Sequence, residues 1–394
     1  MLNTSYNAPP EVGRIGSRAL IAGIVGLAAL AVGFFLDRDQ FFRAYLVGFV
    51  YWIGAALGCL GFLMIQYLTG GTWGVVTRRI FEAGARTVFP LGLILFVPVV
   101  LGMSSLYHWS HADAVAADPI LQQKQPYLNV PFFLIRTGVY FLVWWFLAST
   151  LSRLSKTHDE SGDHAKRQRM ADWSGPGVLA YGLTMTFAAF DWVMSLDPHW
   201  YSTIYGLMMI AGQGITAIGL TIVVAVYLSR REPMDHVFRS AHFHDLGMLL
   251  FALVMLWAYF NYSQLVIIWA ANLPEETPWY IRRWGPPWSY LSWSLLIAHF
   301  ALPFSILLSR DLKKHGKRLI WVAALLLIMR FLDLVWLVAP DFKNSRLSGL
   351  WMYAAATVGV GGIWLWFFCR YLQSRSLVPV HDPQLEAALT VHSH

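Results

Sequence analysis

Residues 205–228 read YGLMMIAGQGITAIGLTIVVAVYL, twenty-four positions without one charged side chain. As a helix this stretch rises about 36 Å at about 1.5 Å per residue, enough to cross a hydrocarbon core of about 30 Å. Nine further mainly apolar stretches of similar length flank it, near 19–36, 44–68, 87–103, 130–151, 176–196, 243–262, 287–308, 318–338 and 349–371. The chain is 57% hydrophobic and only 13% charged, against about 25% charged in soluble proteins. Lipid offers the backbone no hydrogen bonds, so only helices or closed barrels can cross, and runs this long are not barrel strands. The expectation is an all-α integral membrane protein with ten transmembrane helices.

Lysine and arginine set the sidedness. Of the 29 in the chain, 20 fall in the N-tail, the C-tail and the loops after spans 2, 4, 6 and 8. Cytoplasmic loops carry the excess of these residues, so both termini are expected in the cytoplasm. This makes 1–18 an N-tail, 19–371 the membrane domain and 372–394 a C-tail. The first apolar run exceeds a usual signal-peptide core and reads as an uncleaved helix. The net charge of +7 is scattered over short loops, which argues against nucleic acid as a partner. Segment 154–175 is expected as a mobile cytoplasmic loop, and 271–288, rich in Pro, Trp and Tyr, as a stiff outer docking surface.

Two segments share the pattern D-x-V-x-x-x-x-P: Asp191 to Pro198 and Asp333 to Pro340, offset by 142 residues. Leu-Ser-Arg also closes span 4 at Arg153 and span 8 at Arg310. These echoes suggest two duplicated four-helix bundles, spans 2–5 (about 44–196) and 6–9 (about 205–338), with spans 1 and 10 peripheral. Gly54, Gly58 and Gly61 put small residues on one stripe of span 2 and predict close helix packing.

An ionised side chain in hydrocarbon costs about 2.5–3.5 kcal/mol, so intramembrane charges mark candidate sites. Asp191 and Arg136 lie at nearly the same depth below the outer ends of spans 5 and 4, and a pair between them would lower the burial cost of each. Arg330 and Asp333, three apart, share one face of span 9 as a local pair near the interface or as a second site. His299 is the only histidine well inside a span, and such residues are more often hydrogen-bonded in a core than relays or ligands. Asp191, Asp197 and His199 together form an expected polar strip facing outward. His244 and Asp245 could mark the cytoplasmic mouth of a polar path, with Tyr259, Asn261 and Tyr262 further along the same helix. Haem is disfavoured for want of a clear second axial histidine. His108 and His111 lack a companion for zinc, and Cys59 and Cys369 are too few for an iron–sulfur cluster.

The stretch Phe190 to Tyr205, FDWVMSLDPHWYSTIY, resembles the signature of the NrfD-like (polysulfide reductase type) membrane subunits of alternative complex III, the bacterial quinol:cytochrome c oxidoreductase. At 394 residues the chain is similar to the second, shorter companion subunit. The resemblance implies ten helices with two four-helix bundles, residence in the bacterial inner membrane, and a role in a proton path or a quinone environment. It implies no redox cofactor in this chain, leaves quinone as a ligand it could hold, and puts haem and iron–sulfur centres in partner subunits. The implied partners are the sister NrfD-like subunit, a periplasmic iron–sulfur subunit, c-type cytochrome subunits and membrane lipids, with a terminal oxidase as a further candidate. Site carry-over is safest for Asp191, Asp197 and His199, which lie in the shared stretch. The residues alone leave two other classes open, a secondary transporter and a purely structural scaffold.

Overall fold

A computed structural model describes residues 6–342 and 349–390. Lys343 and Arg346, two of the 29 lysines and arginines weighed for sidedness, lie outside the described residues. Every regular element among the described residues is helical. Nine helices are long and apolar enough to cross a membrane, or ten if the bent pair Thr72–Val88 and Leu91–Leu101, which meet at 41°, forms one span. The chain is an all-α, multi-pass membrane protein.

In chain order the principal helices are α1 (Pro10–Leu36), α2 (Arg38–Thr69), α3 (Thr72–Ala85), α4 (Leu91–Leu101), α5 (Val130–Ser161), α6 (His164–Trp192), α7 (Tyr205–Leu228) and α8 (Ser240–Ala271). They continue with α9 (Thr277–Trp284), α10 (Trp288–Leu307, π-helical over Leu295–Ala301), α11 (Gly316–Val338), α12 (Leu350–Gln373) and the short α13 (Leu385–Thr390). Polar caps fix their starts: Asp37 accepts the Gln40 N–H at 3.0 Å and Asn129 that of Phe132 at 2.9 Å. Gly70 and Gly71, at φ 72° and 102°, make the turn from α2 to α3 in backbone conformations that side chains resist.

Helices α2 and α7 form the centre, with 94% and 83% of their apolar windows buried, whereas α1 has 22%. They touch through the expected glycine stripe. A side chain at Gly58 would collide with the Gln213 carbonyl and the Ala217 methyl, and one at Gly54 would press on the Gln213 side chain. Around this pair, α6 packs on α2 and α11 on α7, while α1 lies against α12 and α12 against α2. Gly23 faces Gly362 and Gly26 faces Gly359 across the α1/α12 contact, so these glycines serve close packing.

Two segments differ from expectation. Segment 154–175 is helical almost throughout: α5 runs to Ser161, Gly162 takes the left-handed conformation at φ 66°, and Asp163 caps α6 by accepting the Ala165 N–H. Hydropathy marks where lipid ends, and here both helices continue beyond it on charged, helix-compatible residues. The third apolar run is also preceded by more structure than expected. Residues 72–85, read as a basic loop, form α3, which packs along α2 with Arg78, Arg79 and Glu82 buried.

Candidate functional site

Asp191 sits in the last turn of α6, fully buried. The partner expected from equal depth is in place. Arg136 of α5 donates from Nε to Oδ2 at 2.9 Å and from Nη2 to Oδ1 at 2.8 Å. The Tyr140 hydroxyl adds a third bond to Oδ2 at 2.6 Å. Two parallel guanidinium bonds and a phenol satisfy the carboxylate on both oxygens, the strong geometry for such pairs. Arg136 is itself held by the Tyr127 carbonyl at 2.9 Å and by the Tyr127 and Phe132 rings, 3.8 and 4.3 Å from its Cζ. The wall behind is aromatic: Trp192 packs on Phe49, Phe96, Phe141 and Trp144 and donates its N–H to Thr137.

A second cluster lies on α11. Arg330 donates to Asp333 Oδ2, which also accepts the Trp257 indole N–H at 3.1 Å. Both charged residues are buried in the bundle, at 2% and 1% exposure. Gly212 on α7 makes room, because a side chain there would overlap the Arg330 guanidinium. His299, in the π-helical part of α10, stacks its ring on Trp257 with centroids 4.1 Å apart and planes 9° from parallel. Neither of its buried ring nitrogens has a hydrogen-bond partner among the described residues. The hydrogen-bonded core histidine expected for such a position is therefore not what the fold builds. Single π-turns of this kind recur at functional sites.

Trp257 also lines a cavity of about 850 Å³ between α8, α9 and α10. Its walls are chiefly aromatic and aliphatic, among them Trp284, Trp293, Leu296 and Phe300, with Asn261, Ser289 and Ser292 adding polar groups. Size and lining suit an apolar ligand with a small polar head.

The expected polar strip is split in two. Because α6 ends at Trp192 and a 3₁₀ turn follows over Met194–Leu196, Asp197 and His199 leave the Asp191 face. His199 Nε2 lies 2.6 Å from Asp118 Oδ2, while Asp197 takes Arg282. Desolvation pushes the Asp118 carboxyl up, but the His199 bond and the Ile120 and Leu121 N–H groups together outweigh it and hold it below its ordinary value.

Arg282 also lies 3.7 Å from Asp341, so one side chain links the ends of both D-x-V-x-x-x-x-P segments. Beside it Arg283 is wholly buried. It bonds Asp341 at 2.8 Å and the Trp336 and Leu337 carbonyls at 3.2 and 2.9 Å, with Trp279 stacked 3.5 Å from its Cζ. Burial pulls its guanidinium below the ordinary value, with Asp341 opposing. Segment 271–288 thus turns Trp279, Tyr280 and Arg283 inward and leaves Ile281 and Trp284 exposed.

His244 and Asp245 pair with each other, at 3.7 Å, in the first turns of α8. Neither bonds to the Asp191 or Asp333 cluster among the described residues. Tyr259 and Tyr262 are exposed at 62% and 67%, and Asn261 bonds the Trp257 carbonyl within its own helix. These residues therefore do not line up as an internal polar path along α8.

A further network escaped the sequence. Glu82 is bonded by Arg79 at 2.7 Å, by Ser155 at 2.6 Å and by Tyr67 at 3.2 Å, while Arg79 also holds Asp159 at 2.6 Å. Its signal was the Arg79/Glu82 spacing of three, which hides the charges on one helix face once α3 is helical. The C-tail closes over this end, Asp382 taking Arg78 at 2.6 Å and α13 packing on α3. Burial pushes the Asp382 carboxyl up, but Arg78, the Gln384 N–H and Arg167 outweigh it and hold it below its ordinary value. The tail contact is consequently complete at neutral pH and is lost only as pH falls through that lowered value.

Among the described residues no group of three or more His, Cys, Asp or Glu side chains could hold a metal ion. No family model and no curated protein matches the chain.

Proposed function

We propose that this chain is an NrfD-like membrane subunit of a respiratory quinol:cytochrome c oxidoreductase of the alternative complex III type, the shorter companion of its pair. It carries no redox centre of its own. Its buried acid–arginine pairs form part of a proton path beside an apolar quinone environment. The observation that carries this reading is that both D-x-V-x-x-x-x-P segments bury their first Asp against an arginine. The cations come from different places: Arg136 reaches over from α5, whereas Arg330 lies on the same helix as its acid. The position of Arg330 in the first repeat is Ala188. Such a relocation preserves the charge pair while the surrounding helices differ.

In this reading the bent α3–α4 pair is the third of ten spans. The bundles α2–α6 and α7–α11 are duplicates built about α2 and α7, α1 and α12 are peripheral, and both termini face the cytoplasm of a bacterial inner membrane. A proton reaching either carboxylate displaces an arginine bond, so each pair acts as a gate. The unpaired nitrogens of His299 supply an acceptor next to the second gate and the aromatic cavity. Partners are the sister subunit, a periplasmic iron–sulfur subunit and c-type cytochromes. Mass spectrometry of what co-purifies with the tagged chain from native membranes tests the assignment. Iron–sulfur and multihaem cytochrome subunits are expected, and purification without any redox protein would contradict it.

A second reading has one observation in its favour. Asp191 has three satisfied bonds, as a purely structural clamp would.

A further inference from the structure

Between the C-terminal part of α5 and the last turn of α12 lies a cleft of about 300 Å³ in which Arg86, Arg153 and Arg375 converge. No acidic residue lines it. Arg86 donates to the Ser374 hydroxyl at 3.1 Å and sits over the Tyr371 ring at 4.3 Å. Arg375 bonds Ser152 at 3.1 Å and lies 3.5 Å from Glu82, a carboxylate already engaged by Arg79. Arg153 is exposed and has no ion-pair partner among the described residues. A neighbouring cleft of about 510 Å³ shares Arg86 and Arg375 and adds Lys156. Its two acids are paired, Asp159 with Arg79 outside the cleft and Glu160 with Lys156 inside it, so the surplus charge rests on Arg86 and Arg375.

The other end of the smaller cleft is apolar. Phe89 and Trp145 line it, their rings 5.6 Å apart. Trp145 is 39% exposed, and with Leu142 and Phe146, at 59% and 45%, it continues onto the outward apolar surface of α5. Surplus guanidinium charge, a hydroxyl-lined mouth and a floor that runs into lipid-length helix surface are what a phosphodiester carrying acyl chains requires. Basic pockets between transmembrane helices on the cytoplasmic side recognise anionic headgroups in this way, and arginine binds phosphate in a fork.

We propose that this cleft is a binding site for an anionic phospholipid, with Arg86, Arg153 and Arg375 on its phosphate and Phe89 and Trp145 against the first methylenes of its chains. A zwitterionic lipid would bring an ammonium among three guanidinium groups. A free phosphate would leave the aromatic floor unused. The site does not depend on the functional assignment above.

Native mass spectrometry of the purified full chain, titrated separately with phosphatidylglycerol, phosphatidylcholine and inorganic phosphate, tests it. At least a tenfold preference for phosphatidylglycerol over phosphatidylcholine is expected. Arg153→Gln should remove most of that preference, and Arg86→Gln with Arg153→Gln all of it, while Lys317→Gln, at an exposed position at the start of α11 that lines neither cleft, leaves it intact. Because the Arg153 side chain bonds nothing among the described residues, its variant should keep the wild-type unfolding temperature. Equal retention of both lipids, an unchanged preference in Arg153→Gln, or binding of inorganic phosphate without preference for phosphatidylglycerol would each overturn the site.

Discussion

Replacing Arg136 by Leu is expected to lower stability by about 3–5 kcal/mol, the cost of leaving one member of a buried ion pair uncompensated. Asp191 would keep only the Tyr140 bond, having lost both guanidinium bonds at 2.9 and 2.8 Å. The leucine fills space but cannot neutralise a carboxylate with no exposure to solvent. Adding Asp191→Leu to the same chain should restore most of the loss, since an apolar pair of similar volume often replaces a buried ion pair at little cost. Asp191→Asn alone should be milder, because the amide oxygen still accepts from Tyr140 and Arg136. The check is the fraction of detergent-solubilised protein that remains monodisperse after graded heating. If the single and double variants lose stability equally, the pair does not balance charge as described.

Arg283→Leu should cost a similar amount, about 3–5 kcal/mol for the same physical reason, but its damage should be local. The side chain is completely buried and ties α9 to the end of α11 through Asp341 and two main-chain carbonyls. Without it, four acceptors lose a bond, namely Asp341 and the Trp279, Trp336 and Leu337 carbonyls, and the stacked Trp279 loses its cation. Hydrogen exchange should rise over 277–284 and around Asp341 while α2 and α7 stay protected. The neighbouring Arg282→Ala is the control: at 40% side-chain exposure its ion pairs are solvent-screened, and such pairs contribute about 1 kcal/mol or less. Equal effects of the two substitutions would contradict the burial argument.

The apolar runs were legible because spanning lipid demands long uncharged stretches, and all ten fall on helices or on the bent pair. The Arg136–Asp191 contact was legible for a similar reason: two charges at one depth in adjacent helices have few other partners. Residues 72–85 were not, because hydropathy treats Arg78, Arg79 and Glu82 as solvent-facing. Only tertiary contacts with Ser155, Asp159 and Asp382 show that their charges are satisfied inside. Asp197 and His199 were joined to Asp191 by assuming that the helix ran on to Leu196. It ends at Trp192, and the change of direction hands them to Arg282 and Asp118. Arg283 falls in the segment expected as an outer docking surface, although an arginine set among Trp279, Trp284 and Tyr280 carries the composition of a buried cation–aromatic contact.

The isolation of His299 was illegible for a different reason. A histidine in an apolar run is compatible with any partner that a neighbouring helix supplies, and here the neighbour supplies an indole face instead of an acceptor. The same stacking links it to Asp333 through the Trp257 N–H. Gate and clamp therefore make different demands on the two clusters, the first needing proton exchange and the second only integrity.

The ratio of protons moved to electrons passed, measured in vesicles containing the respiratory complex proposed for this chain, separates them most directly. With Asp191→Asn, and separately Asp333→Asn, the gate account predicts an assembled complex that still oxidises quinol while its proton yield falls at least twofold. An assembled complex with unchanged proton yield in both variants would contradict it.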